Sequence, residues 1–191
     1  ITLVRIALHD VYGLNVALKG GDLDFVEMPA PAMPAALATG KVDAAALIHA
    51  QAYKANQTGE FRPIAQTAQD LNNKFHLRMV SAVLAGYGEK LKAKPEIYRE
   101  FQRVLHASME YARSHPDEVF PAVGKEFNID PGFFQAWSSR FSDFPVVLSD
   151  QDVKAIALLW EKAKELDILK SYPPVQDTIW KDALTENALA K

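Results

Sequence analysis

The run Val42-Asp43-Ala44-Ala45-Ala46-Leu47-Ile48 leads straight into His49-Ala50-Gln51, and no other stretch restricts the fold so tightly. Only Asp43 interrupts the apolar residues, which is the pattern of a short strand covered on both faces. An imidazole and a carboxamide at the end of such a run do not belong in hydrocarbon, because an unsatisfied buried polar group costs about 1–3 kcal/mol. The expectation is that the run delivers them to a ligand. In open α/β sheets, ligands bind beyond the carboxyl ends of the strands.

The neighbouring segments fit that expectation. Leu3, Val4, Ala7, Leu8, Val11 and Leu14 recur with helical spacing, and the helix they predict runs out near Lys19-Gly20-Gly21. Asp24–Met28 alternates and reads as a strand ended by Pro29. Met33–Thr39, with Pro34 in its first turn and Gly40 after it, reads as a short helix. A helix or loop over Ala50–Thr58 and a strand around Arg62–Thr67 follow. This alternation predicts an α/β fold with a mainly parallel sheet and covering helices.

From about residue 75 the pattern changes. Phe75–Ala85 reads as a longer return strand, and the rest is helical. Pro95–Arg113 carries Ile97, Phe101, Val104, Leu105, Ser108, Met109 and Ala112 on one stripe, the signature of a core-facing helix. Pro116 with Asp117 and Glu118 restarts a helix whose inner side is Val119, Phe120, Val123 and Phe127. Asp130-Pro131 opens another, with Phe134, Trp137 and Phe141 facing inward. Ser149-Asp150-Gln151-Asp152 resembles a capping box ahead of Val153, Ile156, Trp160 and Ala163. A last short helix is expected around Thr178–Leu184. The division predicted is an α/β lobe over residues 2–74, followed by a return strand and helical part over 75–191.

Several chemistries drop out. The chain has 191 residues and no cysteine, so disulfides, thiolate catalysis and cysteine-held metal centres are absent. None of the five histidines forms a zinc-hydrolase pair, and there is no P-loop, G-x-G-x-x-G or G-x-S-x-G. With a net charge of −3 and no basic stripe, a nucleic-acid partner is not expected. Paired acids such as Asp150/Asp152 and Asp117/Glu118 lie at helix starts, where backbone N–H groups account for them. These observations predict no catalytic residue, no metal and no cofactor.

Five residues form the candidate ligand set. His49 offers a donor and an acceptor, and Gln51 offers both amide functions. Tyr53, one turn on, can wall the pocket. Thr2 adds a hydroxyl to the free N–H groups of the first helix, a setting that favours anions. Asn72, within Asp70-Leu71-Asn72-Asn73, supplies a further amide.

The order of short motifs is similar to the second lobe of periplasmic solute-binding proteins, in the sulfonate/taurine/nitrate-binding group of ABC importers. The motifs are Phe25–Pro29, Ala36-Leu37-Ala38-Thr39-Gly40, Val42-Asp43-Ala44, the His76–Val80 segment, the helix from Lys94 and Tyr111–Glu118, in a resemblance covering about Leu3 to Leu184. It implies a type II periplasmic-binding-protein-like fold and hinge closure on a small, polar or anionic solute without chemistry. It also implies docking on an ABC permease, and a periplasmic or lipid-anchored extracytoplasmic location. The chain begins Ile-Thr-Leu-Val-Arg, and the resemblance implies a first lobe ahead of that point, with a signal peptide removed. The family's aromatic-acid-proline triplet is replaced here by His49-Ala50-Gln51. Enzymes of similar fold, a thiamine-pyrimidine synthase and a sulfinate hydrolase, are the competing expectation, although both rely on cysteine. A regulator's effector-sensing domain is a third, for which an upstream DNA-binding motif is expected.

Overall fold

The computed structural model describes residues 1–141 and 144–189. In chain order its helices are α1 (Thr2–Asp10), α2 (Met33–Ala38, entered through a 3-10 turn at Ala30–Ala32), α3 (His49–Thr58) and α4 (Thr67–Phe75). Then come α5 (Gly88–Ala93), α6 (Pro95–Ser114), α7 (Pro116–Phe127) and α8 (Pro131–Ala136), which runs into a π-turn at Trp137–Phe141. The last are α9 (Asp150–Glu165), α10 (Val175–Thr178) and α11 (Glu186–Leu189). Two units form: Ile1–Val83 with Ser149–Thr178, and Leu84–Leu148 with Ile179–Lys191.

The first unit is built where α1 packs on α4 and α9, with α10 against α9. Ile6 and Leu71 are fully buried, and Ala7 and Met79 complete the centre. Leu3, Phe75, Leu77, Leu158, Leu159 and Leu166 pack around them. Each large aliphatic side chain removed from water in this way contributes about 1.5–3 kcal/mol. One cation shares the interior. Arg5 is buried on α1, its Nε donating to the Val16 carbonyl and its Nη2 to the Leu166 carbonyl, both at 3.2 Å. The capping box expected at α9 is present: the Asp152 N–H donates to Ser149 Oγ, and the Ser149 N–H donates to Asp152 Oδ2.

In the second unit α7 packs on α8 and on α6. Asp130 caps α8, accepting from the Gly132 N–H at 2.8 Å. Buried Phe133 stacks on Trp137 with ring centroids 5.3 Å apart, and meets Phe134 edge-on at 5.1 Å. At the other end of α6, Arg99 Nε donates to the Asp182 carbonyl (2.8 Å) and the Leu184 N–H donates to Gln102 (3.0 Å). Tyr98 meets Trp180 edge-on.

The expected α/β architecture, a type II periplasmic-binding-protein-like fold with a mainly parallel sheet, does not form. The described residues contain helices, turns and irregular segments, and no strand. Asp24–Met28 and Val42–Ile48 are irregular, and Arg62–Thr67 and Phe75–Ala85 are irregular apart from the α4 residues at their ends. The reason is that a strand exists only through its ladder, so strand propensity reports a favourable surface and not a backbone state. Ile48 is locally extended (φ −129°, ψ 155°), yet it joins no ladder among the described residues. Val26, Ile48, Ile64 and Val83 all remain exposed.

Helical expectations change as well: α1 stops at Asp10, well short of Lys19-Gly20-Gly21, and Thr178–Leu184 is not helical beyond Thr178. Asp70–Asn73, the segment that carries the candidate Asn72, lies within α4, where Leu71 is buried. The α6 stripe read as core is covered only in part: Ile97 (61%), Phe101 (53%) and Val104 (55%) are exposed, while Leu105, Met109 and Ala112 are half-buried. Periodicity shows that an apolar face exists; it does not show that this unit covers it.

Candidate functional site

His49 is the first residue of α3, immediately after extended Ile48. It is exposed, while Gln51 and Tyr53 are half-buried on the following turn. Their helix has no side-chain cap at its start and no acid in its first turn. The Gln51 and Ala52 N–H groups of this first turn donate to the Ile48 carbonyl, at 3.2 and 3.4 Å. Such an end favours negative charge. His49 itself has φ +50°, in the left-handed region that few non-glycine residues adopt.

Thr2 and Asn72 belong to a different part of the first unit. Thr2 opens α1, also without a side-chain cap or a first-turn acid. Asn72 lies on α4, and its Oδ1 accepts from the Met79 N–H at 2.8 Å, fixing the turn after the helix. α1 and α4 pack together, whereas α3 has no comparable packing on either. The five residues fall into two sets, His49, Gln51 and Tyr53 in one, Thr2 and Asn72 in the other.

Sequence reasoning passed over a group of charges beside the core. Asp10 Oδ1 lies 3.0 Å from His9 Nδ1 and 3.8 Å from Lys162 Nζ. Asp10 Oδ2 is buried without a hydrogen-bond partner among the described residues. Lys162 also donates to Glu165 at 2.7 Å. That bond raises the ammonium's pKa against the opposing effect of burial, and the Asp10 charge adds to the rise. Asp10 and Lys162 are far apart in sequence, so no local pattern announces the pair. Tyr12 donates to Asp70 at 2.8 Å, and this hydrogen bond raises the phenol pKa. Asp70 also accepts from the Gln66 N–H, supporting the start of α4.

A groove of about 500 Å³ lies in the second unit, lined by Val104, Ala107, Ser108, Tyr111 and Val119. None of the five candidate residues lines it. Ser108 Oγ is turned back onto the Val104 carbonyl and the Tyr111 hydroxyl onto Glu118, so its polar groups are already engaged. Among the described residues no group of three or more His, Asp and Glu side chains could hold a metal ion.

Neither a curated protein nor a solved structure matches the chain. A family model does, described as menaquinone biosynthesis, over residues 1–165. This overturns the resemblance to sulfonate/taurine/nitrate-binding proteins, and with it the reading as the solute-capturing component of an ABC importer and the permease partner. The alternative of a thiamine-pyrimidine synthase-like or sulfinate hydrolase-like enzyme is overturned as well. The motifs behind those readings were short combinations of a helix end, a glycine and an apolar run, which local physics produces in many folds. The expectation of a protein without catalytic function is corrected too, since the process that defines the family is biosynthetic. By a match that spans most of its length, the chain belongs to the menaquinone biosynthesis family.

Proposed function

We propose that the chain acts as an enzyme in menaquinone biosynthesis, and that the start of α3 holds a small anionic precursor of the quinone. The match over residues 1–165 carries the first part of this reading. The second rests on the uncapped, acid-free first turn of α3, which brings His49 and Gln51 together with helix N–H groups that favour negative charge. Tyr53 adds an aromatic edge one turn later, and Thr2 and the Asn72 amide act as further polar contacts from α1 and α4.

Converting a precursor chemically requires moving protons. Of the residue types in the set, only histidine exchanges its proton near neutral pH. His49 is therefore assigned the acid–base role, with Gln51 orienting the substrate. A positioned acid–base group contributes about 10²–10⁴-fold to a rate.

The test is genetic and analytical. Cells lacking the gene are complemented with wild type, His49→Ala or Gln51→Ala, and menaquinone in lipid extracts is quantified by mass spectrometry. Wild type is expected to restore menaquinone, His49→Ala to leave it near the level of the null strain, and Gln51→Ala to restore it in part. Wild-type protein that restores nothing refutes the pathway role, and His49→Ala that restores it fully refutes the assignment of His49.

A further inference from the structure

The described residues hold four non-glycine positions with positive φ: His49, His76, Asn128 and Asp167. Three of these follow a helix and close it. His76 donates its N–H to the Asn72 carbonyl at the end of α4, Asn128 to the Gly124 carbonyl at the end of α7, and Asp167 to the Lys164 carbonyl after α9. A left-handed residue is the ordinary way to finish a helix. His49 is different because it stands at the beginning of one, after the extended Ile48. Its left-handed turn closes no preceding helix, since α2 ends eleven residues earlier at Ala38.

Glycine occupies the left-handed region at Gly13, Gly20, Gly40 and Gly59, so the chain meets this backbone demand elsewhere with the residue that tolerates it best. At 49 it keeps a β-carbon, which crowds the following carbonyl in that conformation. Strain held by a residue with no capping role is typical of sites where a side chain must be aimed. We propose that the left-handed backbone at His49 is a positioning device, kept at the expense of stability because it sets the direction of the imidazole. The inference rests on the role proposed above for His49, yet part of it can be read without any activity.

The experiment compares His49→Gly, His49→Ala and His49→Asn by thermal melting of the full chain and by menaquinone content in complemented null cells. Glycine and alanine both delete the imidazole and differ in how well they accept φ +50°. His49→Gly is expected to melt about 2–4 °C above His49→Ala. His49→Asn, which tolerates the left-handed region, is expected to melt no lower than wild type. All three are expected to lose menaquinone. If His49→Ala melts at or above His49→Gly, the backbone there is not under strain and the inference fails. If the melting order holds but His49→Gly restores menaquinone like wild type, the strain does not serve the imidazole, and the inference fails on that ground. Failure of wild type itself to restore menaquinone would instead refute the pathway role and leave the melting order as an independent result.

Discussion

Arg78 Nη2 donates to Asp152 Oδ1 at 3.3 Å, joining the segment after α4 to the first turn of α9. Asp152 is almost wholly buried and also accepts from the N–H and the hydroxyl of Ser149. Burial acts to raise its pKa, but the Ser149 hydrogen bonds and the Arg78 guanidinium outweigh it and hold the carboxyl below 3.8. A depressed folded-state pKa gives stability that is fully present above the unfolded value and disappears as pH falls through the folded one. Urea unfolding should therefore show a loss between pH 7 and pH 3 that is smaller in Asp152→Asn. Ser149→Ala should cost about 1 kcal/mol at pH 7 through the lost cap. Arg78→Ala should cost less, about 0.5 kcal/mol, because the guanidinium is half-exposed and screened.

Arg5→Met is expected to destabilise the first unit by about 2–4 kcal/mol, since it leaves the Val16 and Leu166 carbonyls without their charged donor. Arg5→Lys should recover only part of that loss. A single ammonium does not reproduce the fork that reaches two carbonyls at once. Chemical denaturation of the two variants side by side measures the difference. Equal stability for lysine and wild type would show that charge alone matters.

Leu71→Ala should cost about 3 kcal/mol. The leucine is fully buried beside Ile6, Ala7 and Met79, and truncation adds a cavity term to the lost transfer energy. Calorimetry should show a lower transition; a loss under about 1 kcal/mol would mean that the surrounding helices collapse into the space.

In the second unit Gly124→Ala is the sharpest probe. A β-carbon there would lie 2.7 Å from the Ile129 carbonyl oxygen and 3.0 Å from the Pro131 ring, where α7 turns back toward α8. Backbone on one side and a rigid ring on the other leave little room to yield, so about 1–3 kcal/mol should be lost. Far-UV circular dichroism against temperature tests it.

Much of the helical half can be read from local rules. Pro95, Pro116 and Pro131 each open a helix as expected, and the Ser149–Asp152 box forms, because a cap or an N-terminal proline acts within one turn. Met33–Ala38 ends before Gly40, whose φ of +67° needs a glycine. Burial was less accessible. In α8 the buried ring is Phe133 and not Phe134, and in α1 the buried residues are Arg5, Ile6 and Ala7, a rotated version of the expected stripe. Which part of a helix is covered depends on its neighbours, and α9 reaches α1 from some 150 residues away. The runs read as strands failed for the same reason: their apolar residues were recognised, but whether a partner edge exists is not local information. Within the candidate site, the polar stop at His49 was visible in the sequence, whereas its left-handed backbone and the separation of Thr2 and Asn72 from α3 were not.

The clamp from Arg5 to Leu166 also bears on the order in which the chain can fold. The path leaves the first unit after Val83 and re-enters it at Ser149, so α1 and α4 must wait for α9 before their shared interior is sealed. The entropy of closing so long a loop grows only with the logarithm of its length, which makes the intervening 65 residues a tolerable detour rather than a barrier.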